Sequence, residues 1–551
     1  MEDAANQGIT AKGGGGRRGW MALLAAVFAT AFLVRLFYCL EISRTPLFSL
    51  LMNDAASYDA WAREIASGAW LGDDAFYQAP LYPYFLGVLY KLFGPNLFVV
   101  RMVQIVLGAF TCVLTAQAGK WFFSPIAGAV AGFLMALYPP AVYFDVLIQK
   151  TVLALFFTAL FLALAGRAIG DPSESRWLAA GSALGALCLV RENALLLVFL
   201  AGLWILLHFR GRGIKKSIAL VAAFVLGVML ILAPAAIRNA AVGGEFVLTT
   251  SQFGPNFYIG NNPEANGMYM PLVEGRGMTE FEREDATRLA QEAEGRELTP
   301  AQVSRYWTSR ALDFILSSPG HWAALMLQKS WLFWNATELP DTECQYTYEK
   351  HSRILGGLAE NFHFGILPPL AVFGLCVGIR DRKSLGLLYV SAAGFFASTI
   401  LFYVFARYRA PILPILALFA GAGLAGAAPM LMAWRIKPLA LCLAPALVIA
   451  LLVNQPLPFK HQMTARAFYN AGTALYNQGR ENVSIPYFRE AIRLDPEFAF
   501  AHYNLGLALE RLGRNGEALI HYTQAVRLNP DADRHRIRLD MLRKKMNGAD
   551  E

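Results

Sequence analysis

Nine charged residues sit where a mostly apolar chain should not keep them. Arg35, Arg101, Asp145, Lys150, Arg191, Glu192, Arg238, Arg407 and Arg409 all fall inside or at the ends of long apolar runs. A charge at membrane depth is costly unless it is paired or put to use. In the topology derived below, all of them lie on the same, outer side. Together they predict a polar cavity open to that side with an excess of positive charge. Such a cavity at a lipid interface suits a lipid phosphate. The plainer alternative is a set of arginines that anchor helix ends and reach out to water. It accounts for any one of them, but not for a whole set lying against the usual cytoplasmic bias of Lys and Arg.

A second group of polar residues follows the first apolar run. It reads Asn53-Asp54, then Tyr58, Asp59, Arg63-Glu64 and Gly68, and closes with Tyr77-Gln78-Ala79-Pro80-Leu81-Tyr82-Pro83. Tyr58, Trp61 and Ile65 recur at helical spacing, which predicts a short amphipathic helix over 54–67 on the membrane surface. Asp54 stands at or just before its start, where a helix N-cap is the alternative to a chemical role. The loop holds no His/Cys cluster and no Asp-x-Asp pair, so no metal or other cofactor is required. A divalent cation is compatible with the chemistry, but no residue pattern indicates one. His321, His351 and His363 are too scattered to form a metal site.

The elements that must position these residues follow from composition. The chain has 551 residues, 56% hydrophobic and only 16% charged. A soluble protein carries about 25% charged residues, so this is an all-α polytopic membrane protein. The net charge of +8 sits mostly in short loops and does not argue for nucleic acid. Eleven apolar runs are candidate spans: 20–42, 97–118, 125–143, 148–167, 177–190, 194–209, 217–237, 363–379, 385–405, 411–433 and 438–454. The run after Arg17-Arg18 is long enough to remain as a span rather than be removed as a signal peptide. With a cytoplasmic N-terminus the inside loops hold Lys120, Arg167, Arg176, the basic group Arg210 to Lys216, then Arg380, Arg382 and Lys383, and Arg435 and Lys437. That obeys the positive-inside rule throughout. The domain plan is a disordered cytoplasmic start over 1–19, a membrane domain over 20–455 with outer loops 43–96 and 238–362, and an outer C-terminal domain over 463–546. Capping boxes at Thr279/Glu282 and Thr299/Gln302, the latter with Pro300 at the first helical position, make 238–362 a folded region. A further helix from Ser318-Pro319, with Trp322, Trp331 and Trp334, is placed along the interface. Five cysteines lie in or at the ends of apolar runs and only Cys344 in a polar segment, so no disulfide framework is expected.

From 465 the pattern becomes polar and helical with a period of 34 residues. Asn470 recurs as Asn504, Gly472 as Gly506, Phe488 as Tyr522, Ala491 as Ala525 and Pro496 as Pro530. This order resembles tetratricopeptide repeats, of which two fit, followed by a basic capping helix from 533 to 546. The repeats suit a protein or peptide partner; a docked stabilising appendage is the alternative.

The membrane part resembles a family as well. Asp54 after the first span, Tyr58, Ala62-Arg63-Glu64, Gly68 and the aromatic-Pro-Tyr-Pro stretch are similar to bacterial polytopic glycosyltransferases of the GT-C superfamily. The resemblance is to the protein mannosyltransferase-like and aminoarabinose transferase group. Arg101 with Gln104, Pro234 with Arg238-Asn239, Gly260-Asn261-Asn262-Pro263, and Arg407-Tyr408-Arg409 with Pro411 and Pro414 agree with it. The resemblance covers about residues 20–435. It implies an inverting transfer from a polyprenyl-phosphate sugar to an acceptor protein, lipid or cell-envelope glycan, at the outer face of a bacterial cytoplasmic membrane. It makes Asp54 the general base or acceptor-positioning acid and Asp145 a second acidic residue. Arg407 and Arg409 would hold the lipid phosphate, with Arg101, Lys150 and Tyr58 also on the donor side. Asp59, Gln78, Arg191 and Glu192 would position donor or acceptor. Relatives often carry a Lys where this chain has Gln78, and a neutral Gln cannot neutralise phosphate. Arg101, Lys150 or an arginine of the 407–409 turn must then supply that charge.

Two other functions were weighed. A surface-polysaccharide polymerase or ligase places its key polar residues in a late outer loop, and a lipid-sugar transporter shows repeat symmetry and midplane breaks. The early Asp54 loop and the end-placed charges favour the transferase. The topology itself predicts that reporter fusions after Arg212 read as cytoplasmic and those after Glu551 as exterior. A cytoplasmic C-terminus would remove the odd number of spans.

Overall fold

A computed structural model describes residues 15–244, 246–273, 276–277, 279–377 and 385–547. All regular elements among them are helices. The N-terminal residues 1–14, the side chain of Thr279 and the basic group Arg380, Arg382 and Lys383 lie outside the described residues.

The eleven apolar runs all fold as helices, but fewer are long enough to cross a membrane. Seven described helices qualify by length and composition: Gly16–Ile42, Leu97–Phe122, Thr151–Gly170, Glu192–Arg212, Ile214–Gly243, Ala406–Met432 and Ile436–Val453. An eighth is counted if Pro125–Leu137 and Pro139–Val146, which meet at 58°, form one bent span. The run 177–190 lies in Glu174–Val190, a helix of 17 residues. The run at 385–405 gives a helix of only 15 residues, Gly386–Ile400, and Leu367–Val377 ends where the described residues end. At about 1.5 Å per residue a 15-residue helix falls short of the roughly 30 Å hydrocarbon layer. The eleven runs are counted by hydropathy and the seven helices by length as well, and the two counts differ for that reason.

The chain forms two compact units. One comprises Met1–Phe37, Ser57–Ala336 and Leu358–Asn454; the other comprises Tyr38–Ala56, Thr337–Gly357 and Gln455–Glu551. In the first, small residues let helices approach closely. Ile214–Gly243 packs along Glu174–Val190. A Cβ at Gly181 would run into the Phe224 carbonyl, and one at Gly227 into that of Leu178. The 238–362 region is helical too. Pro300–Ser317 starts at the predicted capping box, with the Thr299 amide donating to Gln302 Oε1 at 2.9 Å. Asp54–Ser67 is the predicted short helix, and its apolar residues Tyr58, Ala62 and Ile65 are fully buried against protein.

In the second unit, Lys460–Asn477, Glu481–Leu494, Ala499–Arg511 and Asn515–Leu528 make two helical hairpins, and Asp533–Asn547 follows. The periodic residues account for the packing. Phe488 lies over Gly472, and Tyr522 over Gly506. Asn504 crosses between repeats to Thr473 Oγ1 at 3.0 Å. Leu539 and Leu542 of the last helix join the core of Phe488, Leu505, Leu509 and Tyr522. Glu510 ties that helix down by accepting from Tyr522 Oη at 2.7 Å and from Arg538 Nε at 2.9 Å. None of the six cysteines forms a disulfide among the described residues. A Cβ at Gly506 would come within 2.6 Å of the Tyr522 ring. Gly506→Val should therefore destabilise the repeats by about 1–3 kcal/mol. Limited proteolysis should show faster cleavage within 460–547, whereas Gly516→Ala, where nothing lies near, should leave it unchanged.

Candidate functional site

The buried charges of the membrane unit are organised around one bend. Pro139 and Pro140 have no amide hydrogen, so the carbonyls of Met135 and Ala136 lose their helical donors four residues on. Arg35 replaces them. Its Nη1 donates to Ala136 O at 3.0 Å and its Nη2 to Met135 O at 3.4 Å. Its Nε binds Asp145 Oδ2 at 2.6 Å. Both residues are only 1% exposed, so this is a closed ion pair and not the rim of an open cavity. Room for it comes from Gly108, where a Cβ would strike the Asp145 carboxylate and approach Arg35 Nε to 2.9 Å. The second carboxylate oxygen, Oδ1, makes no hydrogen bond among the described residues.

Leu97–Phe122 grips the same bend from the other side. Gln104 Nε2 donates to Leu147 O at 2.6 Å and to Asp145 O at 3.1 Å, while its Oε1 accepts from Tyr82 Oη at 2.8 Å. Arg101 Nε donates to Val146 O at 2.9 Å. Tyr58 packs edge-on against Tyr82, with ring centroids 5.3 Å apart. Thus Arg101, Asp145 and Tyr58 come together, the first two through backbone at the bend.

The chain then turns through buried Lys150 into Thr151. Arg191 Nη2 donates to Thr151 Oγ1 at 3.2 Å and to the carbonyl of Arg407 at 2.6 Å. Both guanidinium groups stand by one ring: Arg191 and Arg407 each lie 5.1 Å from the Tyr408 centroid. Arg191 forms no salt bridge to a carboxylate among the described residues. Two guanidinium groups about one aromatic face are a geometry that can receive an anion by planar contacts. Glu192 turns away, accepting from Gln252 Nε2 at 2.7 Å and Thr250 Oγ1 at 3.0 Å.

The other predicted residues have partners of their own. Arg409 is buried, donates to Asn335 O at 2.6 Å and Phe333 O at 3.1 Å, and sits 3.7 Å over the Phe364 ring. Asp59 accepts from Arg63 at 2.7 Å and Tyr90 Oη at 2.6 Å. Gln78 is half-buried in the closing stretch of the first loop. Asp54 is buried, belongs to the repeat-bearing unit, and is the first residue of its helix. Sequence reasoning missed Lys329. It is fully buried and donates to Gly260 O at 2.6 Å and Asn261 Oδ1 at 3.3 Å, and burial pulls its ammonium down to about 7. Asn261 in turn donates to Leu401 O at 2.7 Å, six residues before Arg407. Its signal was a lone Lys amid the apolar and aromatic residues of Pro319–Trp334. No group of three metal-ligating side chains occurs among the described residues.

Residues 77–237 match the model of a family described as dolichyl-phosphate-mannose-protein mannosyltransferase. Residues 464–533 match the tetratricopeptide repeat. No curated protein matches the chain. Among solved structures, ArnT from Cupriavidus metallidurans bound to undecaprenyl phosphate is 17% identical with a TM-score of 0.43, over 92% of this chain and 80% of that one. The Archaeoglobus fulgidus oligosaccharyltransferase in its apo form is 16% identical at a TM-score of 0.44, over 82% of this chain. The AglB oligosaccharyltransferase of the same organism, in complex with an inhibitory peptide and a dolichol-phosphate, is 13% identical at 0.42, again over 82%. This chain spans 57% and 58% of those two oligosaccharyltransferase chains. The protein is a multi-pass helical membrane protein in which residues 77–237 match this mannosyltransferase family model and a tetratricopeptide repeat region follows.

The bend of the GT-C-like region yields a stability test. Arg35→Leu strands the Asp145 carboxylate in the interior, at a cost of about 3–5 kcal/mol. Thermal unfolding of the solubilised protein should fall accordingly, and adding Asp145→Leu should recover much of the loss. A single variant as stable as the wild type would remove the pair from its structural role.

Proposed function

We propose that this protein is an inverting glycosyltransferase that moves a sugar from a polyprenyl-phosphate carrier to an acceptor protein, lipid or cell-envelope glycan at the outer face of a bacterial cytoplasmic membrane. The observation that carries this reading is the Arg191–Tyr408–Arg407 arrangement, two buried guanidinium groups about one aromatic ring, in a chain whose residues 77–237 match a mannosyltransferase family model. In a single displacement the acceptor oxygen attacks the anomeric carbon. The bond from that carbon to the phosphate oxygen breaks, and the phosphate leaves with the electron pair. Fixed guanidinium groups stabilise the charge that develops on it. Asp54 takes the acceptor proton, as the resemblance implies, and polyprenyl phosphate is the second product.

Arg407 and Arg191 are the donor-phosphate groups that the geometry favours, with Lys150 beside Thr151 as the next cation in the chain. Arg409 is engaged with Phe333 and Asn335 carbonyls, which supports a role in holding the turn under Arg407. The closed pairing of Asp145 with Arg35 likewise supports a positioning role for Asp145.

The test is sugar transfer from a synthetic polyprenyl-phosphate donor by purified protein. Asp54→Asn keeps shape and removes the base, so turnover should drop by roughly 10²–10⁴-fold with little change in melting temperature. Arg407→Ala should weaken donor use, and Arg407→Lys should restore it only in part, because Lys lacks the planar fork. Unchanged turnover in a stable Asp54→Asn protein would move the base elsewhere.

A further inference from the structure

The loop that leads to Asp54 belongs to the same compact unit as the repeats, and so does segment 337–357. That segment holds the loop at both ends. Glu41, near the close of the first helix, accepts from Ser352 Oγ and from the Ile354 amide at 3.2 Å. At the other end, Asn53 Nδ2 donates to Thr342 Oγ1 at 3.0 Å. Between them, Arg480 of the first repeat reaches Ser49 Oγ at 3.3 Å.

Segment 337–357 is in turn seated on that repeat. Lys350 pairs with Glu490. The His351 ring stacks on Tyr487, with centroids 5.6 Å apart and planes 8° from parallel. Lys460 lies 4.8 Å over the Tyr346 ring.

The backbone at the end of the loop is unusual. Asn53 has φ of +45°, one of two described non-glycine residues with a positive value. Asn tolerates that conformation better than most residues, but it still needs support from its surroundings. It immediately precedes Asp54, so the reversal at Asn53 sets the direction from which Asp54 enters its helix. Thr342 holds the side chain that accompanies this reversal.

We propose that Thr342 is a positioning residue for Asp54, acting through the left-handed conformation of Asn53, with the first repeat as the frame that seats the 337–357 segment. The proposal rests on the reading of Asp54 as the base. The repeats then contribute to turnover without touching substrate.

The experiment uses the full-length protein and the synthetic polyprenyl-phosphate donor, with kcat, donor KM and melting temperature measured together. Thr342→Val is isosteric and removes the acceptor for Asn53. It should lower kcat by about tenfold or more, since small misplacements of a reacting group cost that much, with donor KM and melting temperature near wild type. Thr342→Ser, which keeps an Oγ, should recover most of the loss. Combining Thr342→Val with Asp54→Asn should add nothing to the loss from Asp54→Asn. Lys350→Ala with Tyr487→Leu should reproduce the kcat loss. Should Thr342→Val fail to fold, Asn53→Gly serves instead: it accepts the backbone angle, lacks the anchoring amide, and should show the same loss. Wild-type kcat in stable Thr342→Val or Asn53→Gly, with Asp54→Asn inactive, overturns this inference and leaves the base assignment standing. An active Asp54→Asn overturns both.

Discussion

A guanidinium and a carboxylate inside a membrane must be buried together or not at all, and the membrane unit is arranged around that requirement. Arg35 and Asp145 are far apart in sequence and meet at 2.6 Å. The pair alone would be poor value for stability, because two charges lose their water. It gains from what else Arg35 does. Two adjacent prolines leave two carbonyls without amide partners, and Arg35 donates to both while bonding the carboxylate. One side chain thereby satisfies a broken helix and neutralises an acid. Arg101 and Gln104 then fasten the next carbonyls, 145 to 147, so the bend is held from two helices. The order extends onward: Thr151 meets Arg191, and Arg191 meets the Arg407 carbonyl. A chain of contacts therefore runs from the first span to the turn that carries the candidate phosphate-binding arginine.

Much of this was legible in the sequence as a set of misplaced charges, but not as pairings. Charge at the end of an apolar run is visible in one dimension. Whether it lines water or closes against an opposite charge depends on which helices become neighbours. Arg35 and Arg409 show the difference: both looked like cavity residues, and both are committed to protein carbonyls. Arg191 and Arg407 carried the same signal and do stand together around Tyr408. Lys329 was passed over because a single Lys in an aromatic helix reads as an anchor at a lipid surface. The count of spans differs between the two readings because hydropathy marks a run without fixing how long its helix is. The 54–67 helix was found because its period is local, whereas its burial was not predictable from that period.

The repeats were the most legible part, because their packing is written at fixed spacing. A glycine below an aromatic ring in each hairpin is a contact between residues 16 apart, and the period repeats it. What periodicity could not reveal is which non-repeating segments complete the unit. Tyr38–Ala56 and Thr337–Gly357 join it through single side chains such as Ser352, Thr342 and His351, which carry no recurring pattern.

The doubled proline has a consequence for how the protein is made. The first span emerges with Arg35 already inside it, 110 residues before Asp145 is synthesised. An arginine at helix centre costs roughly 2.5–3.5 kcal/mol on insertion scales, and Arg35, nearer the C-terminal end of a 27-residue apolar helix, costs less than that. The carbonyls it will serve, at 135 and 136, also appear late. The first helix is apolar enough to enter lipid before they are made, but it does so with a guanidinium whose final partners are still to come. Its last seating in this membrane unit waits on the bent third run.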